Sequence, residues 1–180
     1  MESPSAKCLW QYDRSEEMNL IVAVDEQWGI GKDGDLLCRI SGDMKRFRSI
    51  TSGNVLVLGR KTLESFPNQK PLPNREHIVL TNNLGYQAEG VTLCYSLEEL
   101  SKVLEKFQEK EVFVAGGESI YAQLLPFCEK AYVTKIHQSF PADTCFPNLD
   151  AIPEWEIAEE SEEYEENGVK YSFVLYQKKK

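Results

Sequence analysis

The sequence predicts an α/β protein, a largely parallel mixed sheet flanked by helices and closed by an antiparallel C-terminal hairpin. Three observations predict it. Short apolar runs of strand type alternate with stretches of helical periodicity, the order that builds parallel sheets through crossover helices. Val112-Phe113-Val114-Ala115 runs through Gly116-Gly117 into a segment where Ile120, Leu124 and Leu125 recur at helical spacing before Pro126; this reads as a buried strand turning into a helix. Asn167-Gly168 lies between two segments of strand character, 155–158 and 169–176, a strong hairpin signal. Right-handed crossovers would place a ligand at the carboxyl ends of the parallel strands.

Composition narrows the function classes. The chain has 180 residues, 42% of them hydrophobic, enough for one domain with a real core. The net charge is −9, which argues against a nucleic-acid partner, since such binders carry a basic face. No apolar run is long enough to span a bilayer, and the N-terminus lacks the basic-then-apolar pattern of a secretory signal. The expectation is a cytoplasmic protein with no membrane partner, a monomer. Residues 1–17 carry little periodicity and are expected to lie outside the fold, with Met18 a natural initiator and the domain covering 18–180. The five cysteines, Cys8, Cys38, Cys94, Cys128 and Cys145, are irregularly spaced and form neither a disulfide framework nor a metal motif. His77 and His137 stand far apart and read as structural.

The elements follow in order. Residues 19–25 form a buried-type strand, followed by an irregular stretch, 26–42, containing Gly29, Gly31, Gly34 and Gly42. Structureless loops of that length are commonly lids or binding loops. Residues 43–50 read as a helix with Asp43, Phe47 and Ile50 on one face. A strand at 55–59 leads into a short helix beginning Arg60-Lys61-Thr62, then a loop with three prolines up to Arg75. Strands follow at 78–81 and 91–95. Ser96 with Glu99 is a capping box opening a helix whose stripe is Leu97, Leu100, Val103, Leu104 and Phe107. Residues 130–137 form another strand. The acid-rich run 159–166 reads as a solvated strand end and loop, and Lys178-Lys179-Lys180 as a frayed tail.

Four places can carry chemistry. Gly116-Gly117 before a helix start suits a nucleotide pyrophosphate on free backbone N–H groups, or is simply a tight turn. Arg60-Lys61 puts two cations at a helix N-terminus, where the dipole disfavours them; a bound phosphate would offset that, and the alternative is an ordinary charged helix start. Asp43 is either a helix cap or a carboxyl at the lip of an apolar pocket, its pKa raised by burial so that it can relay a proton. Arg75 is either solvated or held by its stiff loop as a bidentate carboxylate ligand.

As an ordered set these segments resemble dihydrofolate reductase. The segments are 21–25, Gly29-Ile30-Gly31, Asp43-Met44-Lys45-Arg46-Phe47, Leu58-Gly59-Arg60-Lys61-Thr62, Pro71-Leu72-Pro73-Asn74-Arg75, Ala115-Gly116-Gly117-Glu118-Ser119-Ile120-Tyr121 and Asp143-Thr144-Cys145-Phe146-Pro147. The resemblance implies a three-layer fold of that family and NADPH-dependent reduction of 7,8-dihydrofolate to tetrahydrofolate, in one-carbon metabolism. It implies that Asp43 binds the pterin and promotes protonation at N5, with Thr134 as its hydrogen-bond partner and Tyr121 near the nicotinamide. It assigns Ile21, Val22, Leu36, Phe47, Phe66, Leu72 and Ala115 to the folate slot, and Arg75 to the glutamate α-carboxylate. The cofactor falls to Ala23, Ile30, Gly31, Gly59, Arg60, Lys61, Thr62, Thr81, Asn82, Gly116, Gly117, Glu118, Ser119, Ile120 and Tyr121. Arg60 and Lys61 favour NADPH over NADH, and Gly116–Gly117 is expected to be a cis peptide.

One segment departs from the family. Its Leu-Pro-Trp-x-Leu-Pro pattern stands here as Leu36-Leu37-Cys38-Arg39-Ile40-Ser41. A thiol is a weaker donor than an indole N–H, and the loop loses the stiffness of two prolines. Ser119 stands where some members carry another cation. Two rival readings remain at this level: a reductase of the same fold acting on a pyrimidine intermediate of riboflavin synthesis, and a binding module whose catalysis has decayed.

Overall fold

The computed structural model describes residues 18–180, so the expectation for residues 1–17 and for Cys8 lies outside the described residues. The strands are β1 (Met18–Val24), β2 (Gly29–Lys32), β3 (Asp35–Leu36), β4 (Val55–Gly59), β5 (Glu76–Leu80), β6 (Thr92–Cys94), β7 (Val112–Val114), β8 (Cys128–Ile136), β9 (Thr144–Cys145), β10 (Trp155–Glu160), β11 (Tyr164–Glu166) and β12 (Val169–Lys178). The helices are α1 (Ser41–Thr51), α2 (Arg60–Glu64), α3 (Leu97–Leu104) and α4 (Glu118–Leu124).

The main sheet has the order β10-β12-β8-β1-β7-β4-β5-β6, with β11 on β12. From β8 through β6 every pairing is parallel, and β12 is antiparallel to β8, β10 and β11. The central strands are buried on both faces, which is why they read as continuous apolar runs. Alternation along each strand divides the core. Leu20, Val22, Val55, Val57 and Val114 face one layer with Leu100, Leu104, Ile120 and Leu124 of α3 and α4. Ile21, Leu56, Leu58 and Phe113 face the other with Leu63 of α2 and Phe47 and Ile50 of α1. The three layers follow from this period-2 split. Ser96 Oγ caps α3 by accepting from Glu99 N–H at 3.1 Å, while Glu99 reaches back to Tyr95 N–H at 2.8 Å.

Several expectations are corrected. Residues 26–42 are not structureless: β2 pairs with β3 and with the distant β9 in a small three-stranded sheet. The two glycines of β2 serve close approach rather than looseness. A Cβ on Gly29 would stand 2.7 Å from Ala142 Cβ, and one on Gly31 would stand 2.9 Å from both Asp35 O and Thr144 Oγ1. The acid-rich run is mostly exposed, with 159–160 ending β10 and 161–163 a loop, as expected, but its last three residues are not loop: they form a further strand, β11, at 164–166. The Asn167-Gly168 turn, with φ of 51° and 79°, therefore joins β11 to β12; both values are the left-handed ones such hairpin turns need. Lys178 is not frayed: it ends β12, and its Nζ donates to Pro126 O at 2.7 Å. Among the described residues no helix is long and apolar enough to cross a membrane.

Candidate active site

Two strand-to-helix turns lie side by side because β4 pairs with β7. Gly59 N–H donates to Gly116 O at 2.9 Å, and a Cβ on Gly59 would stand 3.0 Å from Ile120 Cγ1. Gly116 has φ of +125°, and a Cβ there would meet Thr62 Oγ1 at 3.3 Å. Gly116–Gly117 is the cis peptide that the resemblance implies. The turns open onto a cleft of about 620 Å³. Each residue that the resemblance assigns to the cofactor lines it: Ala23, Ile30 and Gly31 on one wall, 59–62 and Thr81-Asn82 on another, and 116–121 along the floor. Lys32, Asp35, Ser65, Tyr95, Gln123 and Thr144 also line it. The sequence reading missed these, because only the fold brings them to the cleft.

The cations at the start of α2 differ. Arg60 Nη1 is paired with Glu64 one turn along the same helix, at 3.0 and 3.1 Å to the two carboxylate oxygens. The counter-charge expected from a ligand is thus supplied to Arg60 by its own helix. Lys61 is exposed and has no acidic partner among the described residues. Glu118, the one acid in the first turn of α4, is engaged elsewhere, accepting from Cys145 N–H of β9 at 2.5 Å. Ser119 Oγ accepts from Gln123 Nε2 at 3.1 Å.

Asp43 does not itself line the cleft but stands close to it, near enough for its charge to act on Tyr121, which does. It does not cap α1, whose start is held instead by Glu166 of β11. That carboxylate accepts from Ser41 N–H at 2.8 Å, Ser41 Oγ–H at 2.5 Å and Gly42 N–H at 3.4 Å. Nothing local in the sequence signals this contact, which spans most of the chain. Asp43 is thereby left to Thr134, whose hydroxyl donates to Asp43 Oδ1 at 2.5 Å. Thr134 is buried on β8, paired with Ala23 on one side and Phe173 on the other. Burial pushes the Asp43 carboxyl above the usual carboxylate range, and the Thr134 hydrogen bond and the Arg46 charge partly oppose it. Tyr121 O–H donates to Ile21 O at 2.7 Å. Burial, and then the Asp43 charge, push its pKa up, so the phenol stays neutral.

The residues assigned to folate divide between two surfaces. Val22, Leu36 and Ala115 line the cleft itself. Phe47, Phe66, Leu72 and Ala115 pack with Ile21 in the cluster under α1 and α2. Arg75 stands at the far end. Its Nε donates to Pro73 O at 2.9 Å, its Nη1 to Thr51 Oγ1 at 3.2 Å, and its guanidinium lies 5.9 Å from the Phe47 ring centre. Among the described residues, the other donors of the fork have no hydrogen-bond partner. Cys38, at the family's Trp position, packs with Ile40, Ile136 and Tyr171. Burial, then the Glu166 charge, push the thiol up and keep it protonated.

The geometry agrees with the comparisons. Residues 17–178 match the family described as dihydrofolate reductase. The chain is 40% identical over 164 residues to the dihydrofolate reductase of Staphylococcus haemolyticus, covering 90% of this chain and 96% of that one. It is 40% identical to that of Drosophila melanogaster, covering 89% and 97%. A solved dihydrofolate reductase from Enterococcus faecalis, complexed with NADP(H) and RAB-propyl, superposes with a TM-score of 0.80 at 36% identity, covering 91% of this chain and 97% of that one.

Proposed function

The chain belongs to the dihydrofolate reductase family, and on that premise we propose how its residues share the reaction. The reaction is the NADPH-dependent reduction of 7,8-dihydrofolate to 5,6,7,8-tetrahydrofolate, which supplies one-carbon metabolism. Residues 18–180 are the reductase domain, acting as a cytoplasmic monomer.

The cleft suits the cofactor. It joins the Gly116–Gly117 turn at the start of α4 to the charge of Lys61, which has no acidic partner among the described residues. When bound there, NADPH supplies the hydride. Lys61 and Arg60 hold phosphate, and Arg60 exchanges Glu64 for it. The backbone of Gly116, Gly117 and Ser119 carries the pyrophosphate. Tyr121, tied to Ile21 O, fixes the wall between cofactor and substrate. The apolar residues Phe47, Phe66 and Leu72 exclude water from the pterin slot, and Arg75 holds the substrate carboxylate.

Asp43 carries the proton chemistry. Hydride addition at C6 of the pterin requires a proton at N5, and a carboxyl with a raised pKa can hold the ring and promote that transfer, directly or through a water. The observation that carries the reading is the Thr134–Asp43 hydrogen bond: a partly buried acid held still beside the glycine-lined cleft. The test is NADPH oxidation that depends on dihydrofolate, and its loss in Asp43→Asn. The variant should also be more stable at neutral pH. A carboxyl whose folded pKa is raised contributes stability below its unfolded pKa and loses it as pH rises through the folded value, so its ionised form burdens the fold at pH 7. Near-normal turnover in Asp43→Asn would refute the assignment.

A further inference from the structure

His77 sits on β5 among Ile78, Val79 and Leu80, only 2% exposed. Strand propensity explains a buried side chain here but not an imidazole. Both ring nitrogens are engaged. Leu72 N–H donates to Nε2 at 3.0 Å, and Nδ1 lies 3.2 Å from Arg75 O. A carbonyl can only accept and an amide N–H can only donate, so these partners fix the tautomer: neutral, with the proton on Nδ1. The ring edge also packs on Phe66, with centroids 6.1 Å apart and planes at 83°. One side chain therefore touches three residues of the proposed folate wall: Phe66 by its ring, Leu72 by its N–H and Arg75 by its carbonyl.

We propose that His77 is a positioning residue for the substrate tail, a neutral latch that sets loop 71–75 so that the Arg75 fork faces the carboxylate. The proposal rests on the reading of Arg75 above. Loop 71–75 is short and proline-stiffened, so two hydrogen bonds from one ring fix its pitch relative to β5. Arg75 itself is steadied by Pro73 O and Thr51 Oγ1, and both depend on that pitch.

The latch exists only in the neutral ring. A second proton on Nε2 would face Leu72 N–H, two donors against each other, and the bond would open. The charged groups facing the ring are Arg75 and Glu76 of its own segment, and Phe66, packed on it from the segment after α2, carries no charge. Burial holds the imidazole below its ordinary range; the hydrogen bond to Arg75 O and the Glu76 charge oppose this, while the Arg75 charge reinforces it. A base with a depressed folded pKa contributes stability above its unfolded pKa and loses it as pH falls through the folded value. The latch is thus secure at neutral pH and released in acid.

The experiment compares dihydrofolate with a tail-less substrate, 6-methyl-7,8-dihydropterin. His77→Leu should raise KM for dihydrofolate about tenfold, the loss expected from one unmade hydrogen bond that orients a charge. It should leave kcat, KM for NADPH and KM for the tail-less pterin unchanged. His77→Gln, which can still accept from Leu72 N–H but does not titrate, should restore most of the loss. In the wild type, KM for dihydrofolate relative to that for the tail-less pterin should stay flat through the ordinary imidazole range and rise only at lower pH, as the depressed folded pKa is crossed, and this rise should vanish in His77→Gln. If His77→Leu does not fold, the wild-type and His77→Gln pH profiles decide. Arg75→Leu separates the two readings. If it leaves KM for dihydrofolate unchanged, the Arg75 assignment fails. If it raises that KM while the His77 variants and the pH profile show no dependence on the tail, the latch fails alone.

Discussion

Thr134→Val deletes one hydroxyl and keeps the shape of the side chain. Valine suits a strand held between β1 and β12, so β8 should persist. The lost hydroxyl donates to Asp43 Oδ1 at 2.5 Å from a buried position. A hydrogen bond to a charged group contributes about 1.5–3 kcal/mol, and about 1.4 kcal/mol is a factor of ten. The full range thus corresponds to about 10- to 150-fold. Asp43 is only partly buried, so water can replace part of the bond, and the lower end, about 10- to 30-fold in kcat/KM for dihydrofolate, is expected. The hydroxyl lowers the Asp43 pKa, so its removal should also move the carboxyl's titration to higher pH. Stopped-flow hydride transfer across a pH series measures both effects, and NADPH affinity should stay unchanged because Thr134 is not among the cleft-lining residues. Thr134→Ser should recover most of the rate. A Thr134→Val enzyme within about threefold of wild type at pH 7, with an unmoved pH profile, would show that the bond neither orients nor charges the acid.

Two further outcomes follow from charges around α1. Arg46 stacks on Phe173, 4.2 Å from its ring centre, and its charge helps keep Asp43 ionised against burial; the other groups facing that carboxyl are Thr134, Tyr121 and Tyr171. Arg46→Met should therefore raise the pH at which Asp43 titrates, read by carbon-13 NMR of the labelled carboxyl, and an unchanged titration would sink the idea. Glu166→Gln should lower the melting temperature and raise KM for dihydrofolate at neutral pH, because hydrogen bonds to Ser41 hold this carboxyl below its usual range. A depressed acid contributes stability above its unfolded pKa and loses it as pH falls through the folded value. The variant and wild type should therefore converge in acid, and a difference that persists there would contradict the charge-dependent account.

The sequence was most legible where structure is local. β1, β4 and β7 announce themselves as apolar runs because both faces of the central sheet are covered. Gly59 and Gly116 mark the cleft because each is a turn residue pressed against a neighbour. What stayed hidden depends on remote partners. β2 needs Thr144-Cys145, and no window around Gly29 contains them. β11, Tyr164-Glu165-Glu166, has the composition of a solvated loop and becomes a strand only because Val169, Lys170 and Tyr171 of β12 offer it a ladder. The cap of α1 was hidden for the same reason: Asp43 is the only local candidate, and the group that holds the helix start is the remote Glu166.

That last contact bears on the missing prolines. A proline at position 41 would have neither an N–H nor a hydroxyl, and those are the two groups of Ser41 that Glu166 takes at 2.8 and 2.5 Å. The substitution that removes backbone stiffness from the loop also creates the donors by which β11 grips the start of α1. Stiffness carried by a fixed φ is indifferent to pH and salt, whereas a grip made by an exposed carboxylate is not. Asp43 lies two residues beyond Ser41 on that helix, so in this chain the placement of the acid depends on the ionisation of a side chain on β11. With prolines in the loop, that dependence would be absent.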